Sequence, residues 1–75
     1  MKLVCKVIGG KKVLVIPSVY HDMFEYGETY DDLKCIRTAR YKCLLIPAYR
    51  WDEFKEGEEY EISVARKREP RNLRA

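Results

Sequence analysis

The chain offers few side chains suited to chemistry. His21 is its only histidine. A general base or a zinc centre needs further ligands or partners at suitable spacing. Asp22 adjoins His21 in sequence, but neighbours on a helix do not face each other. Cys5, Cys35 and Cys43 are odd in number and lack CxxC spacing, so they make neither a secreted disulfide framework nor a zinc motif. All three fall in segments that read as strands, where free cysteine packs as a small apolar residue. A cross-strand Cys35–Cys43 disulfide is the alternative, with a three-residue loop placing the two opposite each other. Asp22 with Asp52, and Glu28 with Glu58, are carboxylates repeated at one spacing. Paired acids can do acid–base work or hold a cation, yet on short helices and turn corners they are ordinarily solvated. Gly9-Gly10 lacks the following helix of a phosphate-cradling loop. The expectation is a protein without catalytic residues, metal ligands or cofactor.

What positions these residues is an internal repeat of 30 residues. Lys12-Val13-Leu14-Val15-Ile16-Pro17 falls on Lys42-Cys43-Leu44-Leu45-Ile46-Pro47, and Asp22, Phe24, Gly27-Glu28 and Tyr30 fall on Asp52, Phe54, Gly57-Glu58 and Tyr60. Nine of the twenty pairs from 12/42 to 31/61 are identical. Two units are too few for a solenoid, so each half is expected to cover the other's apolar face about a pseudo-twofold axis. Residues 12–16 and 42–46 read as strands ended by proline, which also suits a helix start. Residues 18–26 and 48–56 suit about two helical turns, with Gly27 and Gly57 expected as left-handed helix caps. Glu28 to Arg37 and Glu58 to Lys67 read as further strands, with a bulge near Asp31-Asp32 where Leu33 and Cys35 fall out of phase with Tyr30. An additional strand, Leu3 to Ile8, leads through Gly9-Gly10 into the first unit as a hairpin. Apolar residues occupy both faces of that hairpin, as a covered barrel or a dimer requires: Leu3, Cys5 and Leu14 on one, Val4, Ile8, Val13 and Val15 on the other.

The resulting expectation is a mainly β, small barrel-like domain over residues 1–66, in the order β-β-α-β-β-α-β, with repeats at about 12–33 and 42–63 and a basic, flexible tail at 67–75. An α+β fold with an open antiparallel sheet is the alternative. Seventy-five residues leave little room for a large core, and chains this short often gain support from dimerisation. No apolar run approaches the roughly 20 residues of a membrane span, and the N-terminus lacks a signal-peptide pattern, so a cytoplasmic protein without membrane contact is expected. The chain has no Gln and only one Asn, Asn72, while Lys, Arg, Glu and Tyr are abundant, a bias shared with heat-adapted proteins.

Charge alternates in blocks. Residues 1–16 carry four lysines and no acid, and 17–33 carry five carboxylates and no Lys or Arg. Residues 34–50 carry five cations and no acid, and 51–64 carry six carboxylates against one lysine. If the hairpin loops lie together, Lys11, Lys12, Arg37, Arg40 and Lys42 form one basic surface, the electrostatic footprint of a nucleic-acid binder. Tyr41 could then pack on sugar or base. The competing reading is that the blocks neutralise one another as surface ion pairs.

Val4-Cys5-Lys6-Val7, Lys12 to Pro17 and Gly27-Glu28-x-Tyr30 together resemble the AbrB/MazE-type swapped-hairpin (SpoVT/AbrB-like) DNA-binding family. Leu44-Leu45-Ile46-Pro47 to Gly57-Glu58-x-Tyr60 repeats the pattern. The resemblance implies a DNA-binding transcriptional regulator with two units in one chain, folded as an intrachain pseudo-dimer. It carries over to Lys6, Lys11 and Lys12 in the first hairpin, and Arg50 fits the basic residues that open the family's helix. Arg37, Arg40 and Lys42 rest on the charge pattern alone. Double-stranded DNA is therefore the first expected partner, and a homodimer is a further expectation. The rival reading is a protein-interaction module, antitoxin-like or inhibitory, anchored by Tyr20, Tyr26, Tyr49 and Trp51. Single-strand or RNA binding through the hairpin tyrosines is a third reading.

Overall fold

A computed structural model describes residues 1–38 and 40–64. The expected basic tail at 67–75, and the end of the strand expected to reach Lys67, lie outside the described residues. The fold is mainly β. Strands β1 (Lys2–Ile8), β2 (Lys11–Val15), β3 (Thr29–Tyr30), β4 (Leu33–Thr38), β5 (Tyr41–Leu45) and β6 (Glu59–Glu61) form one antiparallel sheet in the order β3-β4-β5-β2-β1-β6. The sheet is open, with β3 and β6 at its edges. The two helical segments, η1 (Ser18–Met23) and η2 (Ala48–Glu53), are 3₁₀ rather than the expected α. Each starts after a proline whose carbonyl accepts an i+3 amide, Tyr20 N to Pro17 O at 2.9 Å and Arg50 N to Pro47 O at 2.9 Å. Six residues between each proline and a buried phenylalanine leave space for the tighter, shorter helix.

Pairing at the centre explains the repeat. β2 and β5 run antiparallel with Leu14 opposite Leu44, the one pair of partners a full repeat apart: Val13 faces Leu45 and Val15 faces Cys43. A pseudo-twofold axis therefore passes between the two leucines. It also relates β1 to β4, since Leu3 and Cys5 correspond to Leu33 and Cys35. The repeat is longer than the sequence match that starts at Lys12: β1 belongs to the first unit. Each unit is strand, strand, 3₁₀ helix, strand, and the units meet at Asp31-Asp32.

The third strand of each unit pairs with the first strand of the other. β3 lies on β4, with Thr29 opposite Lys34 and Tyr30 opposite Leu33. β6 lies on β1, with Glu59, Tyr60 and Glu61 opposite Val4, Leu3 and Lys2. The turn before each third strand joins the exchange: Gly27 N donates to Cys35 O and Cys35 N to Glu28 O, while Gly57 N donates to Cys5 O and Cys5 N to Glu58 O, all at 2.8–2.9 Å. Gly27 and Gly57 (φ 89° and 91°) sit in turns closed by Glu28 N to Glu25 O and Glu58 N to Lys55 O. That is the glycine position of a type II turn, not the helix cap expected.

Two further expectations are corrected. The strand expected from Glu28 to Arg37 is broken at Asp31-Asp32, which form a two-residue turn with positive φ (58° and 70°) rather than a bulge. The central hairpin pairs Thr38 with Tyr41, so its link is two residues long and the register shifts by one. Cys35 then faces Leu44, and Cys43 faces Ile36. The two cysteines lie on adjacent strands but opposite sheet faces, and all three thiols are free. The Gly9-Gly10 turn has the expected form, with both φ positive as a type I′ hairpin needs.

The core fills one face of the sheet in symmetry-related pairs: Leu3 and Leu33, Cys5 and Cys35, Leu14 and Leu44, Ile16 and Ile46, Phe24 and Phe54, joined by Ile62. Each phenylalanine meets a tyrosine of its own third strand, Phe24–Tyr30 at 4.8 Å and Phe54–Tyr60 at 4.7 Å between ring centroids. The tyrosine hydroxyls accept the amides of Glu25 and Lys55. Burial pushes all three thiol pKa values above the ordinary cysteine range; Lys12 opposes this at Cys5, Lys42 at Cys35, and a hydrogen bond with Thr38 at Cys43.

Buried thiols with raised pKa are poor nucleophiles at neutral pH. An aromatic disulfide reagent should therefore label no cysteine promptly in the folded protein and all three in denaturant. Intact mass without reductant should show three free thiols. Prompt labelling of the folded chain, or a mass lighter by two hydrogen atoms, contradicts the packing described.

Candidate functional site: the cations of the sheet

The seven basic residues singled out from the sequence divide into two groups. Lys12, Lys42 and Arg50 are half-buried and used within the fold. Lys12 Nζ donates to the carbonyls of Trp51 (3.0 Å) and Phe54 (2.6 Å), at the end of η2. Lys42 Nζ does the same at the end of η1, to His21 O at 2.7 Å, and stands 4.8 Å from the Tyr26 ring centroid. Each lysine thus leaves one unit and bonds carbonyls at the helix end of the other, where a cation is favoured, beside the amides of Phe24 and Phe54 that also reach His21 O and Trp51 O. Arg50 donates to Glu53 Oε1 (3.1 and 3.0 Å) and to Asp31 O (2.9 Å), and lies over Phe54. Its guanidinium is held as a cation, with the Glu53 hydrogen bond raising its pKa.

Lys6, Lys11, Arg37 and Arg40 are exposed. They do not gather into one basic surface. Because β2 and β5 are antiparallel, the turn after β1 and the turn after β4 point to opposite ends of the sheet. Lys6 and Lys11 lie near one tip; Arg37, opposite Lys42, and Arg40 lie near the other.

Strand register adds a feature that the charge blocks of the sequence do not show. Lys6 pairs with Val13, Val13 with Leu45, and Leu45 with Lys34. Side chains alternate between faces along a strand, so these four form one row on the face away from the core. The neighbouring row is Glu59, Val4, Val15, Cys43 and Ile36. Val13 and Cys43 are fully buried at the centre of this outer face, and Lys11 and Lys2 fall on it by the same alternation. Lys34 was legible in principle: Leu33 and Cys35 read as core, which turns Lys34 outward.

The remaining candidates serve the fold. Trp51 Nε1 donates to Ile46 O at 2.6 Å, and His21 Nε2 stands in the equivalent place, 2.9 Å from Ile16 O. A carbonyl only accepts, so Nε2 carries the hydrogen and His21 acts as a second indole-like donor. Among the described residues, no group of three His, Cys, Asp or Glu is placed to hold a metal ion, and no helix is long and apolar enough to cross a membrane. Of the aromatic anchors considered, Tyr20 and Trp51 pack against the core while Tyr26 and Tyr49 are exposed.

Removing either inter-unit lysine deletes charged hydrogen bonds to partly buried carbonyls. Lys12→Ala and Lys42→Ala should each lower unfolding free energy by about 1–3 kcal/mol, measured by urea titration. Lys11→Ala, on the surface, should stay within about 0.5 kcal/mol of wild type. Equal and negligible effects at all three positions would contradict the bonding seen at Lys12 and Lys42.

Comparisons with protein-family models, with curated proteins and with solved structures returned no match to this chain.

Proposed function

We propose that this chain is a DNA-binding transcriptional regulator of the cytoplasm that docks on duplex DNA with the outer face of its sheet. The row Lys6–Val13–Leu45–Lys34 carries this reading. Its two lysines stand three strand spacings apart, about 14 Å, close to the roughly 12 Å width of a major groove. One lysine would meet phosphates on each side of the groove, while the half-buried Leu45 between them, with Val4, Val15 and Ile36 of the neighbouring row, would meet thymine methyls. Lys11 and Lys2 extend the cationic strip and Arg40 adds charge at the far tip, while Arg37, on the strand side shared by Leu33 and Cys35, faces away from the docked surface. Phosphate contacts of this kind supply position and most of the affinity. Lys12, Lys42 and Arg50 drop out as contacts because their charges are bound within the fold.

The resemblance to the AbrB/MazE-type family belongs to the same reading. Reciprocal exchange of third strands between two units supports a swapped-hairpin, barrel-like ancestry. One observation favours a different partner: Val19 and Tyr49, equivalent positions on the two helices, are 80% and 79% exposed, and Tyr26 is 52% exposed. Exposed apolar side chains at paired positions suit a protein-interaction module.

Salt-dependent anisotropy on labelled duplex DNA separates the two. Replacing Lys6, Lys11 and Lys34 by Ala should weaken binding and flatten the log–log salt slope by about 0.9 for each phosphate no longer neutralised. Unchanged affinity and slope in the triple variant would remove the outer face from DNA binding. Tyr49→Ala should leave the slope unaltered, because it removes no charge.

A further inference from the structure

The two units are joined by a single two-residue turn, Asp31-Asp32, which lacks the glycine that its left-handed backbone favours at the second position. Both aspartates adopt left-handed backbone, φ 58° and 70°. The first hairpin meets the same demand with Gly9 and Gly10, φ 61° and 80°. Left-handed backbone strains a residue with a Cβ, and two adjacent carboxylates repel each other as well.

The pairing this turn closes also exists without a turn. β6 lies on β1 as β3 lies on β4, yet no peptide link joins β6 to β1. That end is held by noncovalent bonds: the Met1 amine on Glu61 Oε2 at 2.6 Å, and Ile62 N donating to Met1 O at 2.8 Å. The inter-unit surface is therefore complete in itself. It needs only a unit of the opposite kind nearby, from the same chain or another.

We propose that two copies of this chain exchange units through the Asp31-Asp32 hinge. Residues 31–32 extend, and residues 1–30 of one copy pair with residues 33–62 of the second, and the reverse. The dimer keeps both sheets, both Leu14–Leu44 pairs and the Lys12 and Lys42 bonds across units, because all of these are inter-unit contacts. It releases the left-handed strain and separates the paired carboxylates. Against this stands the loss of translational freedom on association, so the dimer gains with concentration. Short hinges under strain favour such exchange.

The test uses the whole chain, refolded from denaturant at low and at high protein concentration and sized by chromatography with light scattering. A dimer should appear in proportion to refolding concentration and persist on dilution, since exchange requires the units to separate. An Asp31→Asn, Asp32→Gly variant supplies the turn with residues that accept left-handed backbone. Its dimer fraction should fall about fivefold or more. Deleting residues 31 and 32 leaves no length for the turn and should give dimer alone. The proposal fails if wild type and the Asn-Gly variant refold to the same dimer fraction, including none. It also fails if the dimer dissociates at once on dilution, as stacking of outer faces would, or if the deletion variant is a folded monomer. Should the deletion variant not fold, the Asn-Gly comparison still decides.

Discussion

Everything in this fold hangs on the antiparallel pairing of β2 with β5 at Leu14 and Leu44. Once those two leucines face each other, the two units are related by a twofold through the middle of the sheet. The first hairpin is sent to one end and the second to the other. Each third strand then finds an open edge not on its own hairpin but on the neighbouring unit's. Leu3, Cys5, Ile16, Phe24 and their equivalents at 33, 35, 46 and 54 complete a core that neither unit could enclose alone. Burying a leucine contributes about 1.5–3 kcal/mol, and the central pair sits where both units contribute to its surroundings.

Around that core, polar groups lock the units by the same reciprocity. A lysine one residue before each hydrophobic strand centre reaches the carbonyls at the end of the other unit's helix. Within each unit, a ring nitrogen five residues after the isoleucine that follows the strand donates back to that isoleucine's carbonyl, supplied by Trp51 in one unit and His21 in the other. These bonds explain why the helices can be so short. A six-residue 3₁₀ segment has little stability of its own, and here the carbonyls at its end and its entry are fixed by side chains from outside the helix or beside it. The same bonds take Lys12 and Lys42 away from any external partner and leave Lys2, Lys6, Lys11 and Lys34 as accessible cations of the outer face.

Much of this was legible in the residues. The 30-residue identity, the proline stops, the buried Phe24 and Phe54 and the Gly9-Gly10 turn all depend on local chemistry, and each appears where the spacing placed it. What was not legible depends on register and on distant partners. Two aspartates carry no strong turn signal, so Asp31-Asp32 read as a bulge. A link one residue shorter than expected moved Cys43 to the face opposite Cys35. The charges of Lys12 and Lys42 are indistinguishable in sequence from those of Lys6 and Lys11, because only tertiary contact with the opposite helix separates them. The direction of the hairpins followed from β2 meeting β5 antiparallel, which no local pattern specifies.

The reciprocal exchange of third strands is most directly tested by hydrogen exchange on single amides. Cys35 N is bonded to Glu28 O across the Asp31-Asp32 turn, and Cys5 N to Glu58 O with no turn beside it. If each unit completes the other, both amides open only with the global unfolding of the domain. Their protection should then be equally high and fall together on adding denaturant. A protected Cys35 amide beside a rapidly exchanging Cys5 amide would mean that only the covalently linked pairing is stable, and the interlocked two-unit account would be wrong.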